Sequence, residues 1–321
     1  MRAPRAAVDI VFDGATKRYP GRQAPAVDNL TFSIAAGEIC CLVGPSGGGK
    51  TTAMKLVNRL VELTSGDVRI DGRSVRELDE TELRRGIGYV IQQVGLFPHM
   101  TVAENVGTVP RLLGWRRDEI RARVDELLDL VELPAVDYRS RYALQLSGGE
   151  RQRVGLARAL AADPPVMLMD EPFGALDPIT RTRLQKELLR IQGEVRKTIV
   201  FVTHDIDEAI LLGDRIAILR EGGRLAQVDT PQELLAHPAD EFVARFVGAD
   251  RGLKRLSLTT LAEVELDPPN GVVMPSAGGE TTLRDALSLM LSEGSRSLAV
   301  LDADERPRGV LTLDRLSELL K

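Results

Sequence analysis

A lysine and two threonines follow a run of glycines early in the chain. Residues 44–51 read GPSGGGKT, which fits the spacing G-x-x-x-x-G-K-[ST]. The glycines let backbone N–H groups turn toward phosphate oxygens, and a helix N-terminus would add a favourable dipole. A plain glycine turn with a solvated lysine is the weaker interpretation. The spacing predicts a phosphate-binding loop, in which Lys50 neutralises the outer phosphates and Thr51 ligates Mg²⁺. The residues assigned to it are Gly44, Pro45, Ser46, Gly47, Gly48, Gly49, Lys50, Thr51 and Thr52.

An acid pair ends an apolar run further along the chain. Residues 166–172 read VMLMDEP, and because side chains alternate along a strand the two carboxylates should point in different directions. Beside a phosphate loop, Asp170 would hold Mg²⁺ through water, and Glu171 would orient and deprotonate an attacking water. Without that loop the segment would be a strand ending in a solvated acidic turn. Together the two motifs predict hydrolysis of ATP with Mg²⁺.

The elements around both motifs are those of an α/β protein. EICCLVGPSGGG precedes KTTAMKLVNRLV, so the loop should lie between a strand and a helix. PVMLMD and KTIVFVTHD are apolar runs separated by a helical segment, as expected of a parallel sheet covered by helices. Strand-like runs occupy residues 8–90, and residues 102–165 are mostly helical in pattern. The pattern predicts a parallel core sheet.

Composition limits the classes of protein. The 321 residues are 43% hydrophobic and 28% charged, which is typical of a folded domain, and their number favours one large domain with a smaller one. A net charge of -5 argues against a general nucleic-acid binder, so we expect no nucleic acid among the partners. Cys40 and Cys41 are adjacent in a strand-like run and are expected to be buried and unbridged, in a reducing compartment. No apolar run of spanning length occurs, which favours a cytoplasmic location.

The order of the glycine loop, LSGGERQR and LMDEPFGALDP resembles the ATP-binding cassette (ABC) family over about residues 8–245, and LSGGE resembles its signature motif. The resemblance implies a phosphate-loop ATPase core with antiparallel β and helical subdomains. It also implies a head-to-tail dimer, in which each ATP lies between one subunit's phosphate loop and the other's signature turn. Ser147, Gly148 and Gly149 would form that second anion site at a helix start. An ordinary N-cap at Ser147 is compatible with this role.

Further positions match the family one at a time. Tyr19 in KRYPG matches the aromatic that stacks on adenine, although packing alone is the commoner role of a tyrosine in a turn. Gln92 in GYVIQQ matches the glutamine that contacts Mg²⁺ and the attacking water, and Gln93 is not assigned. Asp177 in ALDP matches the aspartate loop that crosses the dimer interface. His204 in FVTHD matches the switch histidine, which reaches the γ-phosphate.

Two segments resemble ATPase subunits that power import of quaternary amines such as glycine betaine, carnitine, choline or proline. They are IGYVIQQVGLFPHMTVAENV and the tail HPADEFVARFVGADRGLKRL. In importers, the region after the glutamine receives short coupling helices of a membrane subunit. Leu96, Phe97 and Met100 are candidate groove residues there, and ordinary core is an equally good interpretation of each. The resemblance implies a second copy of the chain, integral membrane permease subunits and an extracytoplasmic substrate-binding protein as partners, at the cytoplasmic face of the cell membrane.

The C-terminal residues 282–320 resemble one cystathionine-β-synthase (CBS) module, a small α/β domain. Nucleotide-binding modules usually place an acid three positions after a threonine, whereas here Thr312 is followed by Asp314 and then Arg315. Ribose binding is therefore doubtful, and a dimerisation tail without a ligand is the alternative. Residues 253–275 are too short for a second module, so the usual pair would form between subunits.

These expectations give four segments: a flexible N-terminus at 1–7, an ABC ATPase domain at 8–245, a linker at 246–252 and a CBS-like regulatory domain at 253–321. The alternative function is a soluble ABC ATPase of DNA repair or translation. Such proteins generally carry a coiled-coil insertion or a second cassette, neither of which is found in these 321 residues. A nucleotide sensor centred on the C-terminal module leaves the hydrolysis motifs unexplained.

Overall fold

The structure is a computed structural model that describes residues 5–92, 95–268, 275–302 and 304–319. Gln93 and residues 1–4 of the expected N-terminal segment lie outside the described residues. The chain forms two compact units, Met1–Thr230 and Pro231–Lys321. Residues 231–245, which we expected within the ATPase domain, belong to the second unit by contact. The functional boundaries at 245 and 253 stay predictions.

The described strands of the first unit are β1 (Ile10–Lys17), β2 (Val27–Ile34), β3 (Ile39–Val43), β4 (Ser65–Ile70), β5 (Arg73–Ser74), β6 (Ile87–Val90), β7 (Val166–Asp170), β8 (Thr198–Val202), β9 (Arg215–Arg220) and β10 (Arg224–Asp229). Its described helices are α1 (Lys50–Val57), α2 (Glu80–Arg85), α3 (Val102–Val106), α4 (Thr108–Leu112), α5 (Arg117–Leu130), α6 (Ala135–Tyr138), α7 (Gly148–Leu160), α8 (Pro178–Val195) and α9 (Ile206–Leu212).

The core sheet has the strand order β10-β9-β3-β8-β7-β6. β9, β3, β8, β7 and β6 run parallel, and only β10 among these strands is antiparallel to its neighbour. Every residue of β3 and β8 is buried, which explains why ICCLV and TIVFV are continuous apolar runs without alternation. Because parallel strands end at the same edge, the segments after β3, β6, β7 and β8 meet there.

A second, antiparallel sheet of order β2-β1-β4-β5 packs on the core sheet. One hydrophobic cluster includes residues of both sheets and of α1. In it the rings of Phe12 and Phe32 stack with centroids 4.8 Å apart. Cys40 and Cys41 belong to the buried interior and are free, as expected, and burial raises the pKa of both thiols. These cysteines therefore pack as small apolar residues.

Helices α3–α7 form the helical region between β6 and β7. The apolar face of α5 is buried at Val124, Leu127 and Leu128, whereas Ile120 remains partly exposed. The loop that enters this region is held by Asn105, which is fully buried. Its amide nitrogen donates to the carbonyl oxygens of Phe97, Met100 and Thr101 at 3.0–3.2 Å, and its amide oxygen accepts the N–H of Phe97.

The second unit contains the described helices α10 (Pro231–Ala236), α11 (Glu241–Val247), α12 (Arg251–Leu256), α13 (Leu283–Ser292) and α14 (Leu313–Leu319), and the strands β11 (Ser276–Gly278), β12 (Ser297–Leu301) and β13 (Pro307–Thr312). Their sheet has the order β11-β12-β13. The order helix, strand, turn, strand, helix from α13 to α14 is the one expected. A separate hydrophobic cluster, which includes Leu283, Met290 and Leu316, holds this unit together.

Candidate functional site

The phosphate loop leaves the end of β3 and enters α1. Gly44 has φ +151°, and a Cβ there would lie 2.2 Å from the carbonyl oxygen of Leu219 in β9. Gly49, the N-cap of α1, has φ +77°, and its Cβ would lie 2.1 Å from the carbonyl oxygen of Ala26. Among the described residues no side chain caps α1, and no acid occupies its first turn. The N–H groups of that turn are thus available to an anion.

Lys50 is the first residue of α1, and its side chain extends back across the phosphate loop. Its Nζ donates to the carbonyl oxygens of Gly44 at 2.8 Å and Pro45 at 3.0 Å. Burial lowers the pKa of Lys50, while the carboxylates of Glu171 and Asp170 raise it. The ammonium group is thereby placed between the loop and the acid pair.

Asp170 and Thr51 meet at the end of β7. The Thr51 hydroxyl donates to Asp170 Oδ1 at 2.9 Å. Burial raises the pKa of Asp170, and the hydrogen bond from Thr51 and the charge of Lys55 oppose that rise. A hydroxyl and a carboxylate at this spacing offer the hard oxygen ligands that Mg²⁺ prefers.

Two side chains that follow the neighbouring strands β6 and β8 contact the Glu171 carboxylate. Its backbone has φ +45°, which turns the chain at the strand end, and its N–H donates to Val202 at 2.9 Å. Gln92, after β6, donates through Nε2 to Glu171 Oε2 at 3.0 Å. His204, after β8, places Nδ1 3.3 Å from the same oxygen. The structure therefore brings together the acid pair, Gln92, His204 and the phosphate loop.

The signature turn is the N-cap of α7. The Ser147 Oγ accepts the backbone N–H of Glu150 at 3.3 Å, and the Ser147 N–H donates to Glu150 Oε2 at 2.7 Å. The helix begins at Gly148, directly after Ser147. Ser147 and Gly148 are exposed to solvent, whereas Gly149 is buried. The turn lies beside the aspartate loop, because a Cβ on Gly148 would be 3.7 Å from Leu176.

Asp177 and Tyr19 take separate positions. Asp177 is the exposed N-cap of α8, where its carboxylate accepts the N–H of Thr180 at 3.0 Å. This hydrogen bond lowers the pKa of Asp177. Tyr19 is partly exposed in the turn after β1, with the Lys17 Nζ 5.1 Å from its ring centroid. An exposed face of such a ring can stack on a base.

The sequence interpretation missed a buried network behind Glu171. Glu208 in α9 is 7% exposed and accepts Gln185 Nε2 at 3.0 Å. Burial raises the pKa of Glu208, and hydrogen bonds from Thr203 and Gln185 oppose the rise. A cavity of about 20 Å³, roughly one water in size, adjoins this carboxylate and Glu171. The spacing of Asp205 and Glu208 after His204 was the available signal.

A larger groove opens in the helical region, with a volume of about 550 Å³. It is basic, since four arginines and two acids line it together with short apolar side chains. Leu96, Phe97 and Met100, our candidate groove residues, are not among its lining residues. The lining comes from Ala103, Glu104, Arg111, Arg117, Ile120, Arg121, Val124, Asp125 and Arg139.

The C-terminal unit shows why the departure at Arg315 matters. Arg315 pairs with Glu265 at 2.8 Å and with Glu318 at 3.0 Å, and the Thr312 hydroxyl donates to Asp267 at 3.3 Å. The residues that would hold a ribose are therefore engaged within the chain. None of the described helices combines the length and apolar character of a membrane span.

Family models and a solved structure identify the class of protein to which the chain belongs. The ABC transporter family model matches residues 27–174, and the CBS domain model matches residues 272–321. The dimeric ATP-binding cassette MJ0796, in a post-hydrolysis state with ADP and phosphate, superposes with a TM-score of 0.61 at 37% identity, covering 69% of this chain and 98% of that one. The fold and the loop are those of an ABC ATPase, which binds ATP.

Similar full-length proteins are transport subunits. The osmoprotectant import ATP-binding protein OsmV of Salmonella typhimurium is 48% identical over 94% of this chain and 78% of its own length. The choline transport ATP-binding protein OpuBA of Bacillus subtilis is 46% identical over 97% and 80%. The glycine betaine uptake system ATP-binding protein YehX of Escherichia coli is 45% identical over 94% and 97%. The chain belongs to the ATP-binding subunits of ABC importers, with a C-terminal CBS domain, and a soluble role in DNA repair or translation is not favoured.

Proposed function

We propose that the chain hydrolyses ATP at the edge of its core sheet to power import of a quaternary-amine osmoprotectant. The observation that carries the hydrolysis is the convergence of Gln92 and His204 on Glu171 Oε2, beside the contact of Thr51 with Asp170. Glu171 accepts the proton of the attacking water, while Gln92 and His204 hold that carboxylate in place. The water oxygen forms a bond to the γ-phosphorus as the bond from that phosphorus to the bridging oxygen breaks, and ADP and inorganic phosphate leave.

Mg²⁺ fits this site through Thr51, Asp170 and Gln92. Within the described residues, no group of three or more His, Cys, Asp or Glu could hold a metal alone. Phosphate oxygens and water would therefore complete the coordination, as is usual for Mg²⁺. When bound, the ion supplies charge neutralisation on the phosphates.

The second wall of the nucleotide site comes from another copy of the chain. Ser147, Gly148 and Gly149 donate to the γ-phosphate of the partner's ATP, Asp177 lies at the interface, and Tyr19 stacks on adenine in its own chain. In support, the signature turn is exposed and lies beside the aspartate loop. A mixture of Lys50→Ala and Ser147→Arg chains tests this arrangement. Each homodimer has a defect in both sites, whereas the mixed dimer has one intact site and should recover hydrolysis.

Permease subunits dock on the basic groove. Arg111, Arg117 and Arg121 give it a positive charge that favours an acidic coupling segment. Reversing two exposed charges, in Arg117→Glu with Arg121→Glu, should leave basal ATP hydrolysis unchanged and weaken co-purification with the solubilised permease at least about tenfold. Arg73→Glu with Arg76→Glu, which reverses two exposed charges in β5 and just after it, is the matched control. Unchanged capture of the permease by the double variant would exclude the groove.

The osmoprotectant class is inferred from the cargo that similar import proteins transport. The chain would act at the cytoplasmic face of the membrane, with an extracytoplasmic binding protein that delivers the cargo to the permease. Uptake of labelled glycine betaine, choline, carnitine and proline in a deletion strain, complemented with the wild-type chain or Glu171→Gln, tests the assignment. Equal uptake of all four with both chains would contradict it.

A further inference from the structure

The hydroxyl of Tyr138 is held against the signature turn. Tyr138, the last residue of α6, donates to Glu150 Oε1 at 2.6 Å, and Glu150 Oε2 accepts the N–H of Ser147 at 2.7 Å. Both carboxylate oxygens of Glu150 are therefore engaged within the chain. The hydrogen bond from Tyr138 is the largest of the causes that lower the pKa of Glu150 to about 2. This carboxylate is a fixed support rather than a group that reaches the nucleotide.

Glu150 in turn fixes the serine. Ser147 is bonded to Glu150 twice, through its own N–H and through its Oγ, which accepts the Glu150 N–H. Since the oxygen serves as an acceptor here, the hydroxyl proton is left to be donated to an anion. The orientation of that donor depends on Glu150, and that of Glu150 on Tyr138.

The segment that carries Tyr138 also reaches the groove. The backbone carbonyl oxygens of Arg139 and Arg141 accept the N–H groups of Ala103 at 3.0 Å and Val102 at 2.8 Å, where α3 begins. Ala103 and Arg139 line the basic groove. The guanidinium of Arg141 lies 4.2 Å from the Tyr138 ring centroid, a cation–π distance. One short segment thus joins the groove wall to the signature turn.

We propose that Tyr138 is a positioning residue for the ATP site that the partner chain completes, and that the segment 138–141 transmits occupancy of the basic groove to Ser147. This inference rests on the proposed function, because it requires the signature turn to meet the partner's nucleotide. Tyr138 itself does not touch ATP.

Two mixed dimers with identical substitutions test the positioning role. In the first, one chain carries Lys50→Ala and the other Tyr138→Phe, so the site with the intact lysine has an intact signature turn. In the second, one chain carries both substitutions and the other is wild type, so the site with the intact lysine faces the altered turn. We expect the first dimer to hydrolyse ATP about fivefold faster, because one hydrogen bond to a charged acceptor is lost in the second.

A general folding defect predicts the opposite order. In the first dimer the intact Lys50 lies on the Tyr138→Phe chain. If that substitution destabilised its own chain, the first dimer would hydrolyse ATP no faster than the second. That result would overturn the proposal. Tyr142→Phe, which removes an exposed hydroxyl four residues away, is the matched control and should make both arrangements equal. A wild-type chain paired with Lys50→Ala reports separately on the proposed function, since it measures the activity of one complete site.

Nucleotide-driven dimerisation provides a readout that holds even if one site alone cannot turn over. In a Glu171→Gln background, Tyr138→Phe should leave ATP binding to the monomer unchanged and weaken the ATP-dependent dimer about fivefold. Glu150→Gln should stay within about twofold of the parent, because its amide can serve both Tyr138 and Ser147. Tyr138→Phe added to Glu150→Ala should have no further effect, since the two act in one chain of contacts. Equal dimer affinity in Tyr138→Phe and the parent would overturn the proposal.

The proposed transmission from the basic groove to Ser147 is tested in the complex with the permease. If the segment 138–141 transmits occupancy, the permease should stimulate ATP hydrolysis less in Tyr138→Phe than in Tyr142→Phe, while both bind the permease equally well. Equal stimulation in the two variants would contradict transmission through the segment 138–141.

Discussion

Replacing Glu171 by Gln removes a base while it preserves the shape of the site. Two side-chain partners of the carboxylate, Gln92 at 3.0 Å and His204 at 3.3 Å, approach the same oxygen, Oε2. An amide oxygen in that place can accept from both, so the geometry should survive. The variant should bind ATP within about threefold of wild type, because Lys50 and the loop that hold the phosphates are unchanged.

The substitution should slow the transfer of a proton from the attacking water. A general base contributes about 10²–10⁴ in rate, which corresponds to about 2.7–5.5 kcal/mol of activation free energy. Single-turnover hydrolysis of labelled ATP by the assembled complex measures the rate, and binding of a fluorescent ATP analogue measures the affinity. Size-exclusion chromatography should show an ATP-bound dimer that accumulates in the variant.

Glu77→Gln, in an exposed turn of the same unit, is the matched control and should hydrolyse ATP at the wild-type rate. Hydrolysis by Glu171→Gln within about fivefold of wild type, with binding intact, would refute the role of Glu171 as the base. Loss of ATP binding in the variant would instead show that the carboxylate organises the loop.

Three further outcomes are expected. Thr51→Val should raise the Mg²⁺ concentration for half-maximal hydrolysis at least about tenfold, because it removes the hydroxyl bonded to Asp170, whereas Thr51→Ser should not; equal Mg²⁺ dependence would contradict the role of Thr51. Gly44→Ala should lower the free energy of unfolding by more than about 3 kcal/mol in urea titrations, since its Cβ would lie 2.2 Å from Leu219 O. The control Gly72→Ala, at φ +69° with nothing within 4 Å of the added Cβ, should lower it by only about 1–2 kcal/mol. A chain that ends at Gly248 should keep basal ATP hydrolysis, because the assigned site residues lie between Tyr19 and His204, and loss of ATP binding in a folded truncation would argue against a separate regulatory domain.

The local motifs could be predicted because their physics is local. The phosphate loop depends on glycines next to a helix start, and at Gly44 and Gly49 the positive φ and the close backbone neighbours explain why no side chain fits. The serine cap of α7 needs only residues 147–150, and Ser147 is the N-cap in the structure. Apolar runs likewise predicted β3, β7 and β8, since strands buried on both faces show no alternation.

The basic groove was not predicted from the sequence, and contact of a permease with Leu96, Phe97 and Met100 stays a prediction. Leu96, Phe97 and Met100 were chosen as apolar residues after the glutamine, but the backbone around Phe97 and Met100 is held by buried Asn105. The groove is formed by arginines from α4, α5 and the segment after α6, and its lining comes together only when those helices pack. Surface charges spaced along helices show no pattern that reveals such a convergence.

By itself, the sequence determined the chemistry of each segment: which loop can hold phosphates, which strand ends in acids and which turn can cap a helix. Tertiary structure decided which of these segments meet. β6 and β8 flank β7, so Gln92 and His204 reach Glu171 from opposite sides, although 79 and 33 residues separate them along the chain. The contact of Tyr138 with Glu150 likewise depends on how α6 packs beside α7. Backbone conformation follows from neighbours in sequence, whereas side-chain convergence follows from the order of strands and the packing of helices, which no short motif encodes.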